Sequence, residues 1–149
     1  MKQEHDEQLC KDYPKMFVNR HADMKTTAMC WGFECGDGWY NIINTLCANI
    51  QSHIDWRNST QELLLKDNPY NRPIPNEIHQ VLVDQVKEKF GTLRFYYHGG
   101  DDVVNGMVRM AESMSAVTCE VCGDYGYPSQ GGWITTLCDK HHEEREFGK

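Results

Sequence analysis

The chain has no apolar stretch approaching the length of a membrane-spanning helix, and its opening run MKQEHDEQLCKDYPK lacks the apolar core of a secretory leader. Both absences set the expectation of a cytoplasmic protein with no membrane partner. There is no block of Lys and Arg either. The 22 acidic side chains are interleaved with 15 basic ones, for a net charge of −7. That balance disfavours a dedicated duplex-DNA binder, which replaces phosphate counterions with clustered cations. It is also too mild for a DNA mimic. The chain lacks a G-x-x-x-x-G-K-[ST] phosphate loop, a G-x-S-x-G nucleophile elbow and an H-E-x-x-H metalloprotease helix. Proline is scarce, and three of the five prolines fall between Asn68 and Pro75, where they exclude a regular helix or a central strand.

What is present reads as a folded domain. Apolar residues make up 40% and charged residues 25% of 149 positions, enough for a real core without disulfide staples. Seven cysteines is an odd number, and in a reducing compartment they are expected to be thiols or metal ligands.

Residues 1–29 mix charges with weak periodicity and read as a loop-rich lead-in or a short irregular helix, with Met16-Phe-Val18 as the core candidate. The glycine-rich turn around Gly36-Asp37-Gly38 leads into a helix that the spacing of Trp39, Ile42, Ile43, Leu46, Ile50 and Ile54 predicts over about 39–56, with Asp37 as its cap. Its other face carries Asn41, Asn44, Asn49, Gln51 and Ser52 and is read as solvated, although no Lys or Arg lies between Met29 and Trp56. Residues 81–97 predict a β-hairpin in which Gly91 supplies the turn or a bulge, with Leu93, Phe95 and Tyr97 on the buried face. Asp101 or Asp102 then caps a second helix to about Ala116, whose Met107, Met110 and Met114 read as core, with an adaptable binding groove as the alternative.

The chemistry concentrates at the C-terminal end. Cys119-x2-Cys122, fifteen further residues, then Cys138-x2-His141 is a spacing that gathers four soft or borderline donors around one tetrahedral ion. Gly123 suits the knuckle after the first pair, and the stretch to Leu137 reads as a turn-rich excursion returning as a strand. Residues 139–147 read as a helix whose first turn supplies the last ligand. His141 fits the x2 spacing, with His142 as the alternative. One structural Zn2+ is the expected cofactor, since four protein ligands leave no open position for water. Cys30 and Cys35, with His21 and Cys47, are a weaker candidate for a second site, Cys47 reading more simply as a small hydrophobe in the helix. Cys10 reads as incidental.

The fold class expected is α+β: helix, β-hairpin and second helix over residues 1–116, with a treble-clef-like zinc unit over 117–149 packed on it. No histidine or asparagine lies between Cys122 and Cys138, so a zinc-supported HNH nuclease lacks its base and its orienting amide, and no catalytic residue is assigned.

The segments Trp31-Gly-Phe-Glu-Cys-Gly-Asp-Gly-Trp-Tyr40, Gln85-Val-Lys-Glu-Lys-Phe-Gly-Thr-Leu-Arg-Phe-Tyr-Tyr97, Ala111-Glu-Ser113 and Cys119-Glu-Val-Cys-Gly123 with Trp133 to His141 come in a distinctive order. In them the chain resembles a family of small proteins frequent in tailed bacteriophages and occasional in bacteria, for which no reaction is established. The resemblance implies a phage-type product acting in the bacterial cytoplasm on a bacterial host protein, as a non-enzymatic host-takeover or counter-defence factor. A nucleic-acid-binding regulator is the alternative, and the candidate binding residues are Lys87, Lys89, Arg94 and Tyr96 on the hairpin.

Overall fold

A computed structural model describes residues 1–148. Four α-helices and five β-strands are arranged as α1 (Gln3–Asp12), β1 (Phe33–Glu34), α2 (Tyr40–Lys66), β2 (Leu82–Lys89), β3 (Thr92–His98), α3 (Asp102–Ser115), β4 (Tyr127–Pro128), β5 (Thr136–Leu137) and α4 (Asp139–Phe147). The fold is α+β, as the patterning predicts. The main sheet has the order β1-β2-β3. The short β1 lies parallel to β2, with Phe33 opposite Val86, and β2 and β3 form the antiparallel hairpin with Lys87 opposite Arg94. The register slips at a bulge between Val83 and Gln85, and the Val83 N–H donates to the Met16 carbonyl at 2.9 Å. No helix among the described residues is long and apolar enough to cross a membrane.

One core joins Trp39, Ile43, Leu46, Ile50 and Ile54 of α2 and its lead-in with Val83, Val86, Leu93 and Phe95 of the sheet and Val104, Val108 and Ala111 of α3. The expected burial of Leu93, Phe95 and, partly, Tyr97 holds, while Tyr96 faces out. Asp101 is the cap of α3, accepting a hydrogen bond from the Val104 N–H at 3.1 Å.

Several expectations are corrected. The lead-in contains a regular ten-residue helix, α1, and its Leu9 is fully buried; a single apolar contact gives no periodicity to read. Met16 and Phe17 enter the core, but Val18 is exposed. Helix α2 continues past Trp56 to Lys66, because good helix formers extend it after its apolar stripe ends at Ile54, until Pro69 stops the chain. Its polar face is partly covered. Tyr13 donates to the Asn44 side chain at 2.7 Å, and Gln51 and Gln80 exchange amide hydrogen bonds at 2.8 and 3.0 Å. Asp37 does not cap α2. It lies in a 3-10 turn and accepts from the Lys2 N–H at 2.7 Å, with the His5 ring 3.0 Å away. Met107 is partly buried, but Met110 and Met114 face outward and line a surface groove of about 440 Å³ with Asn41, Thr45 and Asn49.

Candidate metal centre

The C-terminal unit is built on a knuckle. After Thr118 the chain turns through Cys119-Glu-Val-Cys122, and the Gly123 N–H returns to the Cys119 carbonyl at 2.9 Å. Gly123 has φ +85°, a left-handed conformation that glycine adopts without steric cost. The tight turn points both thiols the same way. Strands β4 and β5 pair Tyr127 with Leu137, which carries Cys138 back to the knuckle, and α4 starts at once. Cys138 sits at the N-terminal boundary of α4 and His141 in its first turn.

The four donors converge. Cys119 Sγ lies 3.4 Å and Cys138 Sγ 3.1 Å from His141 Nδ1, Cys122 Sγ is 3.8 Å from Cys138 Sγ, and all four ligand atoms lie within 4.8 Å of one another. A tetrahedron with metal–sulfur bonds near 2.3 Å and metal–nitrogen bonds near 2.0 Å has edges of roughly 3.5–3.8 Å. The Cys3His set and its spacing therefore suit a tetrahedral ion such as zinc.

The surroundings favour the thiolate at Cys119 but not at Cys122, where the Asp124 N–H lowers the thiol and burial with the hydrogen bonds to Cys119, Cys138 and Asp124 raises it, to about 12. Burial pushes the Cys119 thiol up, but the backbone N–H groups of Cys122, Cys138 and Val121 more than offset that and bring it down to about 6. His141 turns Nδ1 to the sulfurs and directs Nε2 toward Glu144 Oε2, 3.8 Å away, the side on which carboxylates orient metal-binding imidazoles.

His142, the alternative ligand, is committed elsewhere. Its Nε2 is 2.9 Å from the Tyr127 carbonyl, and its ring stacks on Tyr127 with centroids 4.3 Å apart. On α4 adjacent residues face different directions, so only His141 reaches the sulfurs. Among the described residues Cys30, Cys35 and His21 form no second cluster of ligand spacing. Cys47 is buried in α2 as an apolar group, and burial pushes its thiol up.

The C-terminal unit is fastened to the rest of the fold through hydrogen bonds to backbone groups. Glu120 accepts from the Gly36 N–H through its carboxylate at 2.9 Å, and from the Gly38 N–H through its carbonyl at 2.8 Å. Trp39, fully buried, donates its indole N–H to the Thr118 carbonyl at 2.9 Å. Gly36-Asp37-Gly38 is thus the seat of the knuckle: the two glycines let its backbone approach. Three close glycines are visible in the sequence, but not what they accommodate. At the other edge Thr136 donates to the Gly91 carbonyl at 2.6 Å, tying β5 to the hairpin turn. A loop over residues 129–135 is pinned by Arg145, which donates to Ser129 Oγ at 2.9 Å and to the Trp133 carbonyl at 2.6 Å.

The hairpin residues are only partly gathered. Lys87 stands across the ladder from Arg94 on one side and Glu34 on the other. Arg94 folds back onto Thr92 Oγ1 and the Leu93 carbonyl, with Glu112 3.8 Å away. Lys89 pairs with Thr92 beside the turn, and Tyr96 pairs with Gln85 on the open face. His98 is a surface residue bonded to Asp84 at 3.0 Å.

No family model, no curated protein and no solved structure matches this chain.

Proposed function

We propose that the chain is a zinc-stabilised, non-enzymatic binding protein of the bacteriophage type, which engages a bacterial host protein in the cytoplasm and inhibits or redirects it. The observation that carries this reading is the convergence of three sulfurs and one imidazole at tetrahedral spacing. Protein atoms supply the whole coordination sphere, so an ion held there serves as a scaffold and has no corner for substrate or water. The chemistry it supplies is cross-linking: it joins the knuckle to the start of α4. The two histidines that a nuclease would need as base and metal ligand are used, His141 in the cluster and His142 on the Tyr127 carbonyl. The phage setting and the host protein rest on the resemblance of the segments from Trp31 to His141.

Two measurements test the reading together. Elemental analysis of purified protein is expected to give one zinc per chain. Affinity capture from bacterial lysate is expected to return one defined protein partner at stoichiometric yield. Zinc-loaded protein that captures none and turns over a substrate overturns it.

The pairing of Lys87 with Arg94 in the ladder, beside exposed Tyr96, favours a second reading, a nucleic-acid-binding regulator. It requires a DNA or RNA mobility shift that weakens steeply with salt.

A further inference from the structure

The two-residue turn between β2 and β3 is made of Phe90 and Gly91, with φ +54° and +76°. Both angles are those of the mirror-image turn that suits a twisted hairpin and that Asn-Gly usually fills. A phenylalanine in the left-handed region is a genuine outlier. The fold gives it little in return, since Phe90 is 69% exposed and only the Lys89 ammonium is placed over its ring, at 5.6 Å. A strained residue that its own fold does not reward points to a use outside the molecule.

The tip is also held rigid. The Gly91 N–H donates to Glu88 Oε1 at 2.8 Å, and its carbonyl accepts from Thr136 of the metal unit. A β-carbon on Gly91 would lie 3.1 Å from Ile134 Cγ2, so the tip sits against β5 and its approach, with Ile134 exposed beside it. An aromatic held in place before binding loses little entropy when it docks. Of the charges beside it, the acidic one, Glu88, is engaged by the Gly91 N–H, and the basic ones are Lys87 and Lys89. Among the described residues Lys87 and Lys89 have no carboxylate within salt-bridge distance, although the chain as a whole carries −7.

We propose that the hairpin tip is the docking epitope of this protein: Phe90 inserts into an apolar pocket of a partner protein whose acidic rim pairs with Lys87 and Lys89. This rests on the binding-protein reading above and adds where the partner docks and what chemistry its surface carries. A protein partner is favoured over a nucleic acid because only two unpaired cations flank the ring in an acidic molecule, too few to hold a phosphate backbone.

The test uses the full, zinc-loaded chain as wild type, Phe90→Gly, and Lys87→Glu with Lys89→Glu. Phe90→Gly is expected to melt at or above the wild-type temperature, because the turn loses its strain. A clear fall in melting temperature makes Phe90 a structural residue and overturns the proposal. The protein captured by wild type from bacterial lysate is then purified and titrated against all three. Affinity is expected to fall roughly 30-fold or more for Phe90→Gly, as for a central aromatic anchor. Association is expected to slow about tenfold for the charge reversal. A captured protein that binds Phe90→Gly as tightly as wild type overturns the epitope and leaves the binding-protein reading standing. Capture of no protein overturns both. Binding of a fluorescent single-stranded 20-mer that is lost in Phe90→Gly assigns the tip to nucleic acid and overturns the proposal.

Discussion

Gly38 lies so close to the first cysteine of the cluster that a β-carbon built on it would sit 2.0 Å from the Cys119 carbonyl oxygen. The backbone of Gly38 is not in the left-handed region, so the obstacle is the knuckle and not the conformation. Gly38→Ala is expected to cost about 1–3 kcal/mol, the range for overpacking a tight contact, and to weaken metal retention at the same time. Urea denaturation and competition with a zinc chromophore measure the two effects. Gly106 is the control. It lies inside α3 with nothing within 4 Å of its β-position, so Gly106→Ala is expected to stabilise by about 1 kcal/mol.

The two adjacent histidines separate cleanly by role. His141→Ala removes one of the four convergent donor atoms and, on the proposed zinc site, is expected to abolish stoichiometric zinc retention after dialysis. His142→Ala removes a carbonyl contact and a stacking partner, and is expected to keep one zinc per chain with a stability loss of about 1 kcal/mol. Metal content measured on both variants decides it.

Chelation, or Cys119→Ser, is expected to unfold the C-terminal unit, because folding of such units is coupled to their ion. Limited proteolysis is then expected to cut first within residues 117–148. Tryptophan fluorescence reports what happens at the boundary. Trp31, Trp56 and Trp133 are exposed, so the blue part of the emission belongs to buried Trp39. Its indole N–H loses the Thr118 carbonyl when the unit opens, and the emission is expected to shift red.

Asp101 links the start of α3 to α2. Burial pushes its carboxyl up, but hydrogen bonds from the His53 ring, at 2.9 Å, and from the Val104 N–H outweigh that and hold it below the usual range. A carboxylate lowered on folding contributes stability above its unfolded pKa and loses it as pH falls through the folded value. Asp101→Ala is expected to cost about 1 kcal/mol near neutral pH, the usual worth of a cap. The stability curves of variant and wild type are expected to converge as pH drops below about 4, measured by denaturant titration across the range.

The sequence is most legible where one pattern has one cause. The apolar stripe of α2, the alternation of Leu93, Phe95 and Tyr97 and the C-x2-C and C-x2-H pairs each follow from a single period or spacing, and each recurs in the structure. Elements held by contacts distant in sequence leave no such trace. Helix α1 is placed by one buried side chain, Leu9, and β1 is two residues long and exists only because β2 lies beside it. The outward turn of Met110 and Met114 is likewise undetermined by helical spacing, because α3 presents its narrower side, through Val104, Val108 and Ala111, to the core. Whether His141 or His142 completes the cluster depends on the phase of α4, set by where Cys138 ends the strand.

The bond between Gly36 and Glu120 spans 84 positions of chain, so the knuckle that makes it leaves the ribosome well after its seat does. Until then Trp39 has no acceptor for its indole, and the seat formed by Gly36 and Gly38 stands open. A premature stop codon anywhere before Cys138 would therefore damage more than an appendage. It would strip the cover from Trp39, the largest fully buried side chain among the described residues, so that a defect encoded downstream of Thr118 is felt far upstream of it.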